Sequence, residues 1–282
     1  MPEIIDLHSH TTASDGALQP EELISLASAR GVDVLAVTDH DTTDGLLAAQ
    51  EAATKYGIQM IHGVEISTRW SGHDIHVVGL GIDMNAAILS EGLKRQCQFR
   101  VSRGALIAKK LEKYGIHDAL VHAQQIAGRD SVGRPHFARY LMEVGLVKSF
   151  DEAFKKYLGA GKGAYVATEW ASIEEAIQWI QGSGGLAVLA HPGRYRMTRT
   201  KLRSLVKAFK VWGGDAMEVC TPNHEAQMVV YLARLSQDFE LLASQGSDFH
   251  SPETDWVRLG QFPAMPAECQ HIWREEKRLI AN

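Results

Sequence analysis

Thirteen histidines occur in this chain of 282 residues, and several stand beside carboxylates in short motifs. His8-Ser9-His10 follows the apolar run Ile4-Ile5-Asp6-Leu7. In an extended segment residues two apart point to the same side, so both imidazoles can reach one metal ion. Thr38-Asp39-His40-Asp41 follows Val34 to Val37, and Glu65 follows Met60 to Val64. His76 adjoins the run Val77 to Leu80, whereas His73 is expected to be exposed. Ala190-His191-Pro192 closes another apolar run, and Ser247-Asp248-Phe249-His250 repeats the two-residue spacing. Asp15, five residues past His10, can fold back over the same place; by itself it reads as a turn residue before Gly16. Asp41 or Thr42 is expected to cap the helix that follows. The candidates are therefore His8, His10, Asp15, His40, Glu65, His76, His191, Asp248 and His250. One ion uses about four to six ligands, so nine imply two or three ions sharing bridging carboxylates. Imidazole and carboxylate without thiolate suit manganese, zinc or iron, and the donor types do not choose among them.

The elements that must position these groups alternate. Strands at about 4–7, 34–37, 60–66, 75–80, 186–190, 216–219 and 241–244 are separated by helices at about 20–30, 44–56, 172–181, 198–212 and 223–237. That rhythm argues for an α/β fold with a mainly parallel sheet, whose strands present their carboxyl ends on one face. Residues 85–166 break the rhythm with helical segments near 86–114, 118–127, 134–144 and 150–158. They read as a helical insertion, and residues 1–84 and 167–282 read as the main domain that carries the metal centre.

Composition limits the function classes. Hydrophobic residues make up 45% and charged residues 22%, enough for a sizeable core. A formal charge of −5 gives no overall cationic field to gather long DNA or RNA, so an anionic substrate needs bound metal or local arginines. Three scattered cysteines, Cys97, Cys220 and Cys269, fit neither a disulfide framework nor a thiolate zinc site. No apolar run is long enough to span a membrane, and the first ten residues lack the features of a secretory signal, so the expected location is cytoplasmic.

Taken in order, His8-Ser9-His10, Thr38-Asp39-His40, Glu65, His76, His191-Pro192 and Ser247-Asp248-Phe249-His250 resemble the motifs of the PHP (polymerase and histidinol phosphatase) family. The resemblance implies a distorted seven-stranded (β/α) barrel, a trinuclear metal centre and phosphoester hydrolysis. It assigns His8, His10, Glu65 and Asp248 to one ion, Glu65, His76 and His191 to a second, and Asp15, His40 and His250 to a third. Asp15 departs from the pattern, because many members place histidine there. Asp248 and His191 are the expected proton-handling, catalytic groups.

Arg100-Val101-Ser102-Arg103 and Gly133-Arg134-Pro135-His136-Phe137-Ala138, in the insertion, resemble the branch of nucleoside 3′,5′-bisphosphate phosphatases, also linked to trimming the 5′ ends of short RNA. Arg134 and His136 at a helix start, beside free backbone N–H groups, would make an anion pocket. Arg100 and Arg103 share a helix face, Ser102 can donate to a phosphate oxygen, and Arg194 lies three residues after His191. The expected activity is removal of the 3′-phosphate from a nucleoside 3′,5′-bisphosphate, the insertion reading the distal phosphate. The alternatives are 5′-3′ exoribonuclease action on short oligonucleotides, histidinol-phosphate hydrolysis, and a metal-binding module without activity. The arginines would repel the amine of histidinol phosphate, and the intact ligand set argues against an inactive module.

Overall fold

A computed structural model describes residues 4–280 except 168, 223 and 255. Seven strands form one sheet in chain order: β1 (Ile5–Asp6), β2 (Val34–Val37), β3 (Gln59–Trp70), β4 (His73–Leu80), β5 (Leu186–Leu189), β6 (Ala216–Cys220) and β7 (Leu242–Gln245). The two ends of the sheet meet, so the barrel is nearly closed. Leu7 N donates to the Gln245 carbonyl at 3.2 Å, Asp248 N to that of His8 at 2.8 Å, and His10 N to that of Phe249 at 2.9 Å.

Both faces of the short strands are buried. Val34, Ala36, Ile61, Val78, Val188 and Ala216 belong to one apolar cluster, and Leu35, Val37, Met60, Val77, Leu189 and Met217 to another. This is the alternation a barrel wall requires, one set facing in and the next facing the helices outside. It also explains why Val34-Leu35-Ala36-Val37 is a continuous apolar run.

The sheet is mainly parallel, as expected, with one strand reversed. β1–β2, β2–β3, β5–β6 and β6–β7 are parallel, but β4 runs antiparallel to both β3 and β5. The cause is local. Ser71 and Gly72 adopt left-handed backbone, φ 46° and 82°, and turn the twelve-residue β3 straight back as a hairpin. A parallel neighbour would have needed a crossover of a dozen or more residues, and none is present between Trp70 and His73. Glu65 consequently lies in the middle of its strand, and His76 arrives from the opposite direction near the start of β4.

The helices have identifiable starts and stops. α1 (Pro20–Ala29) begins with proline, Glu22 reaches back to the Gln19 N–H at 2.8 Å, and Gly31 at φ 72° follows its end. α2 (Leu46–Tyr56) stops at left-handed Gly57 but has no side-chain cap. Asp41 is instead occupied elsewhere, accepting the Ser67 N–H at 2.7 Å, so the expected cap is corrected. α7 (Ile173–Gly182) opens on a Ser172–Glu175 capping box. α8 (Arg199–Val211) buries Leu202, Leu205, Val206 and Phe209, and α9 (Ala226–Asp238) buries Val229, Leu232 and Ala233.

The chain divides into two compact units, Met1–Leu93 with Ala171–Asn282, and Lys94–Trp170. α3 (Ala87–Glu112) crosses the division. α4 (Ala119–Ala127), α5 (Arg134–Glu143) and α6 (Phe150–Ala153) complete the second unit around its own core of Ile107, Leu111, Phe137, Leu141 and Leu158. A short α10 (Glu276–Leu279) closes the described chain.

Gly246 follows β7 where the barrel closes. A Cβ there would lie 2.5 Å from the His8 Cβ and 2.8 Å from its backbone nitrogen. Gly246→Ala should therefore destabilise the fold by about 1–3 kcal/mol through overpacking. Urea unfolding should show a lower midpoint with unchanged slope; an unchanged midpoint would mean that the β1–β7 seam has slack.

Candidate metal centre

The barrel brings together at one end the nine side chains that the motifs single out. The tightest group consists of His8 Nε2, His10 Nε2, Glu65 Oε2 and an Asp248 carboxylate oxygen. His8 Nε2 is 3.1 Å from His10 Nε2, 3.2 Å from Glu65 Oε2 and 3.3 Å from Asp248 Oδ1. His10 Nε2 is 3.2 Å and 3.1 Å from the same two oxygens. Donors at about 2.0–2.2 Å from a tetrahedral ion stand roughly 3.3–3.6 Å apart, so these separations are close to the edges of one coordination tetrahedron. All four residues are buried. Glu65 Oε2 accepts no well-directed hydrogen bond despite its burial, a costly state unless a cation completes it. The donor set therefore fits a divalent ion.

The other oxygen of Glu65 serves a second set. Oε1 lies 2.9 Å from His76 Nδ1 and 3.0 Å from His191 Nε2. His40 divides its two nitrogens: Nδ1 is 3.0 Å from Glu65 Oε2, and Nε2 is 3.9 Å from Asp15 Oδ2. Asp15 Oδ1 lies 3.3 Å from His250 Nε2. Two more groups could thus hold an ion: His10, Asp15, His40 and His250, and His40, Glu65 and His76. A parallel bridge between His40 and Glu65 sets that neighbourhood in the backbone. His73, three residues before His76, turns instead to Lys201 Nζ at 2.8 Å.

Charge sets the protonation of the cluster. Burial alone would lower His10, but its hydrogen bond to Asp248 and the adjacent Glu65 carboxylate push it up to about 10. His8 is likewise raised against its burial by Glu218, Glu65 and Asp248. Burial would raise the carboxylates, yet His40, His8 and His76 hold Glu65 well below the usual range. Arg194, His8 and His250 do the same for Asp248, whose Oδ2 accepts from the Arg194 guanidinium. His40 and His191 are lowered by burial.

Backbone strain is concentrated here. His191 at φ 29° and Asp248 at φ 52° occupy left-handed geometry that non-glycine residues rarely adopt.

The motifs do not reveal the supports. Glu218, in β6, accepts from His8 Nδ1 at 2.7 Å and from the His191 backbone N–H at 2.5 Å. It fixes the His8 tautomer so that Nε2 faces the cluster. A glutamate inside the buried strand Ala216–Cys220 is the available signal, because burying a charge is costly without partners. Asp39 accepts from Thr11 N, Thr11 Oγ1 and Ser14 Oγ at 2.8, 2.7 and 2.5 Å, tying down the loop that carries Asp15. Tyr195 accepts the His76 N–H at 2.9 Å and sets its ring edge-on to His191.

Of the arginines that the motifs single out, only Arg194 is in the barrel unit. Within the helical unit, Arg100 and Arg103 lie over the Trp170 ring, both at 5.3 Å. Arg134 lies over Phe154 at 5.6 Å and Tyr165 at 5.9 Å. His136 Nδ1 accepts the Gly133 N–H at 3.0 Å, closing the start of α5. Ser102 is exposed on α3.

Three comparisons bear on this arrangement. The PHP domain profile matches residues 6–210. The 5′-3′ exoribonuclease Rnm of Escherichia coli is 47% identical over 277 residues, spanning 96% of this chain and 93% of that protein. The 3′,5′-nucleoside bisphosphate phosphatase of Chromobacterium violaceum is 42% identical over 278 residues, 98% of each. A solved structure from Bifidobacterium adolescentis, provisionally assigned as a metal-dependent phosphoesterase, aligns with a TM-score of 0.81 at 27% identity, covering 97% of this chain and 94% of that one.

Two outcomes are expected of the cluster. With His10 raised from 6.5 to about 10, its proton stabilises the metal-free fold fully below pH 6.5, and this contribution is lost as pH rises through about 10. An incoming ion must displace that proton. Manganese titrated calorimetrically at neutral pH should give heats that change with the buffer's ionisation enthalpy; identical heats would mean that no proton leaves. Glu218→Gln should weaken metal affinity about 10–100-fold while the fold persists, read by equilibrium dialysis; wild-type affinity would show that His8 needs no carboxylate behind it.

Proposed function

The chain belongs to the PHP domain family and is a metal-dependent phosphoesterase, and we propose that it hydrolyses the O3′–P bond of a nucleotide that also carries a 5′-phosphate. The preferred substrate is a nucleoside 3′,5′-bisphosphate such as 3′-phosphoadenosine 5′-phosphate, giving the 5′-monophosphate and phosphate. The observation that carries this reading is the sharing of buried Glu65 between two sets of imidazoles. A carboxylate with both oxygens so engaged can bridge adjacent ions, the arrangement that in-line displacement at phosphorus uses.

In this reading His8, His10, Glu65 and Asp248 would hold one ion, Glu65, His76 and His191 a second, and Asp15, His40 and His250 a third, with manganese expected. When bound, the ions supply an activated water and neutralise charge on the phosphoryl oxygens. Arg194 adds a fixed positive charge beside the reacting group. Asp248, held ionised by Arg194, and His191, kept neutral by burial, are the groups proposed to accept the proton that the attacking water gives up. The water oxygen bonds to phosphorus, the O3′–P bond breaks, and the departing O3′ takes a proton from solvent. Arg100, Ser102, Arg103, Arg134 and His136 are proposed to recognise the second phosphate.

The second reading, stepwise trimming of short RNA from its 5′ end, breaks the same bond. The first nucleotide of a 5′-phosphorylated strand carries a 5′-phosphate and a 3′-phosphodiester. Cleavage at O3′ frees the 5′-monophosphate and leaves a 5′-phosphate on the shortened strand. The identity to the Escherichia coli exoribonuclease, 47%, supports keeping this reading beside the first.

Phosphate or nucleotide release should be measured from a 3′,5′-bisphosphate, histidinol phosphate and a short 5′-phosphorylated RNA, with manganese present. Fast turnover of the bisphosphate and slow turnover of histidinol phosphate are expected; the reverse order would overturn the proposal. Arg134→Ala should lower kcat/KM for the bisphosphate about 10–100-fold, some 1.4–2.7 kcal/mol, and leave a simple aryl phosphate nearly unchanged. Equal loss on both would remove Arg134 from phosphate recognition.

A further inference from the structure

The 39 residues from Ala176 to Gly214 contain no aspartate or glutamate but seven cations, Arg194, Arg196, Arg199, Lys201, Arg203, Lys207 and Lys210, in a chain whose formal charge is −5. Six of them follow Arg194 into α8. Arg199, Arg203, Lys207 and Lys210 recur at four- and three-residue steps, so they share one face, flanking the one that buries Leu202, Leu205, Val206 and Phe209. Each four-residue step is about 6 Å along the helix axis. Arg196, Arg199, Arg203 and Lys207 are exposed.

Few of these charges are neutralised. Arg203 pairs with Asp238 at 2.5 Å, and Lys210 donates to the Glu240 carbonyl at 2.8 Å. Lys201 donates to the Ser71 carbonyl and His73 rather than to a carboxylate. Among the described residues Arg196, Arg199, Lys201 and Lys207 have no carboxylate partner. Arg199 lies over the Tyr231 ring at 4.9 Å, a pairing that presents a flat cation and an aromatic face together. The local electrostatics also run against helix stability. α1, α6 and α7 carry acids in their first turns, where the helix dipole favours them, whereas α8 opens with Arg199 and Lys201.

The row begins at the metal centre. Arg194 touches Asp248, and Lys201 Nζ contacts His73, which precedes His76 by three residues, roughly 10 Å along the strand. From there the cations lead outward along α8, within the same compact unit as the centre.

We propose that Arg196, Arg199 and Lys207 form a phosphate track that holds the 3′ continuation of a single-stranded RNA whose 5′-terminal nucleotide occupies the metal centre. This rests on the O3′–P reading above and extends it. A mononucleotide bisphosphate has nothing beyond the first nucleotide for the track to hold, whereas each further phosphodiester adds one charge that successive cations can meet.

The test joins two readouts. Binding of a 5′-phosphorylated RNA of about eight nucleotides is followed by fluorescence anisotropy without metal, and turnover of a bisphosphate is followed with manganese. The triple variant Arg196→Ser, Arg199→Ser, Lys207→Ser should bind the RNA about tenfold or more weakly, and the slope of log affinity against log salt should flatten by about 2. Its kcat/KM for the bisphosphate should stay within about twofold of wild type. Unchanged RNA affinity, or equal losses on RNA and bisphosphate, would overturn the track. Should the triple variant fold poorly, Lys207→Glu alone, at an exposed helix position, should weaken RNA binding severalfold, and wild-type affinity in that variant would overturn the track as well. Wild-type protein that binds the RNA but hydrolyses neither substrate would instead refute the O3′–P reading and leave the track standing.

Discussion

One buried carboxylate organises this protein. Glu65 has no exposure to solvent, and five imidazoles, His8, His10, His40, His76 and His191, approach its two oxygens within 3.2 Å. A charge taken out of water is tolerated only if its surroundings replace the lost hydration. Here the replacement comes from β4 and the segments after β1, β2 and β5, which together span most of the barrel. The near-closure of the sheet is what lets groups so distant in the chain face one carboxylate. Glu218 and Asp39 then hold the histidines and the Asp15 loop in place from behind.

The nine clustered residues are legible in the sequence because each lies in a motif whose spacing means something in extended backbone. His8 and His10, or Asp248 and His250, are two apart and share a side. The strand rhythm likewise makes the α/β class readable. The hairpin is not, since the turn at Ser71-Gly72 differs from a βα loop only in which residues take left-handed backbone. Spacing alone therefore puts Glu65 at a strand end, although it lies within β3. The supports escape for another reason. Glu218 has no neighbouring motif, and its role is fixed by His8, 210 positions away in the chain. The arginines of the helical unit stand with aromatic rings, Trp170, Phe154 and Tyr165, whose company no spacing rule foretells.

The two activities named among the relatives need not be read as a contradiction. In the proposed reading both break a bond between phosphorus and a ribose O3′, and a centre that stabilises charge on that phosphorus is indifferent to whether the far side bears a proton or another nucleotide. What separates the two substrates is the surface beyond the first nucleotide, and sequence identity of 42–47% averages over the whole chain rather than reporting on that surface. In the reading proposed above, preference between the two substrates is set at the periphery, by exposed cations such as those of α8.

The left-handed backbone at His191 and Asp248 bears on how such proteins diverge. Glycine adopts that geometry freely, while for other L-residues it costs roughly 1–2 kcal/mol. Retaining histidine and aspartate there is therefore worthwhile only as long as their side chains are needed. In a lineage released from that need, drift toward glycine at these two positions would bring a gain in stability, so their occupancy is a marker by which a silent descendant of this barrel can be told from a working one.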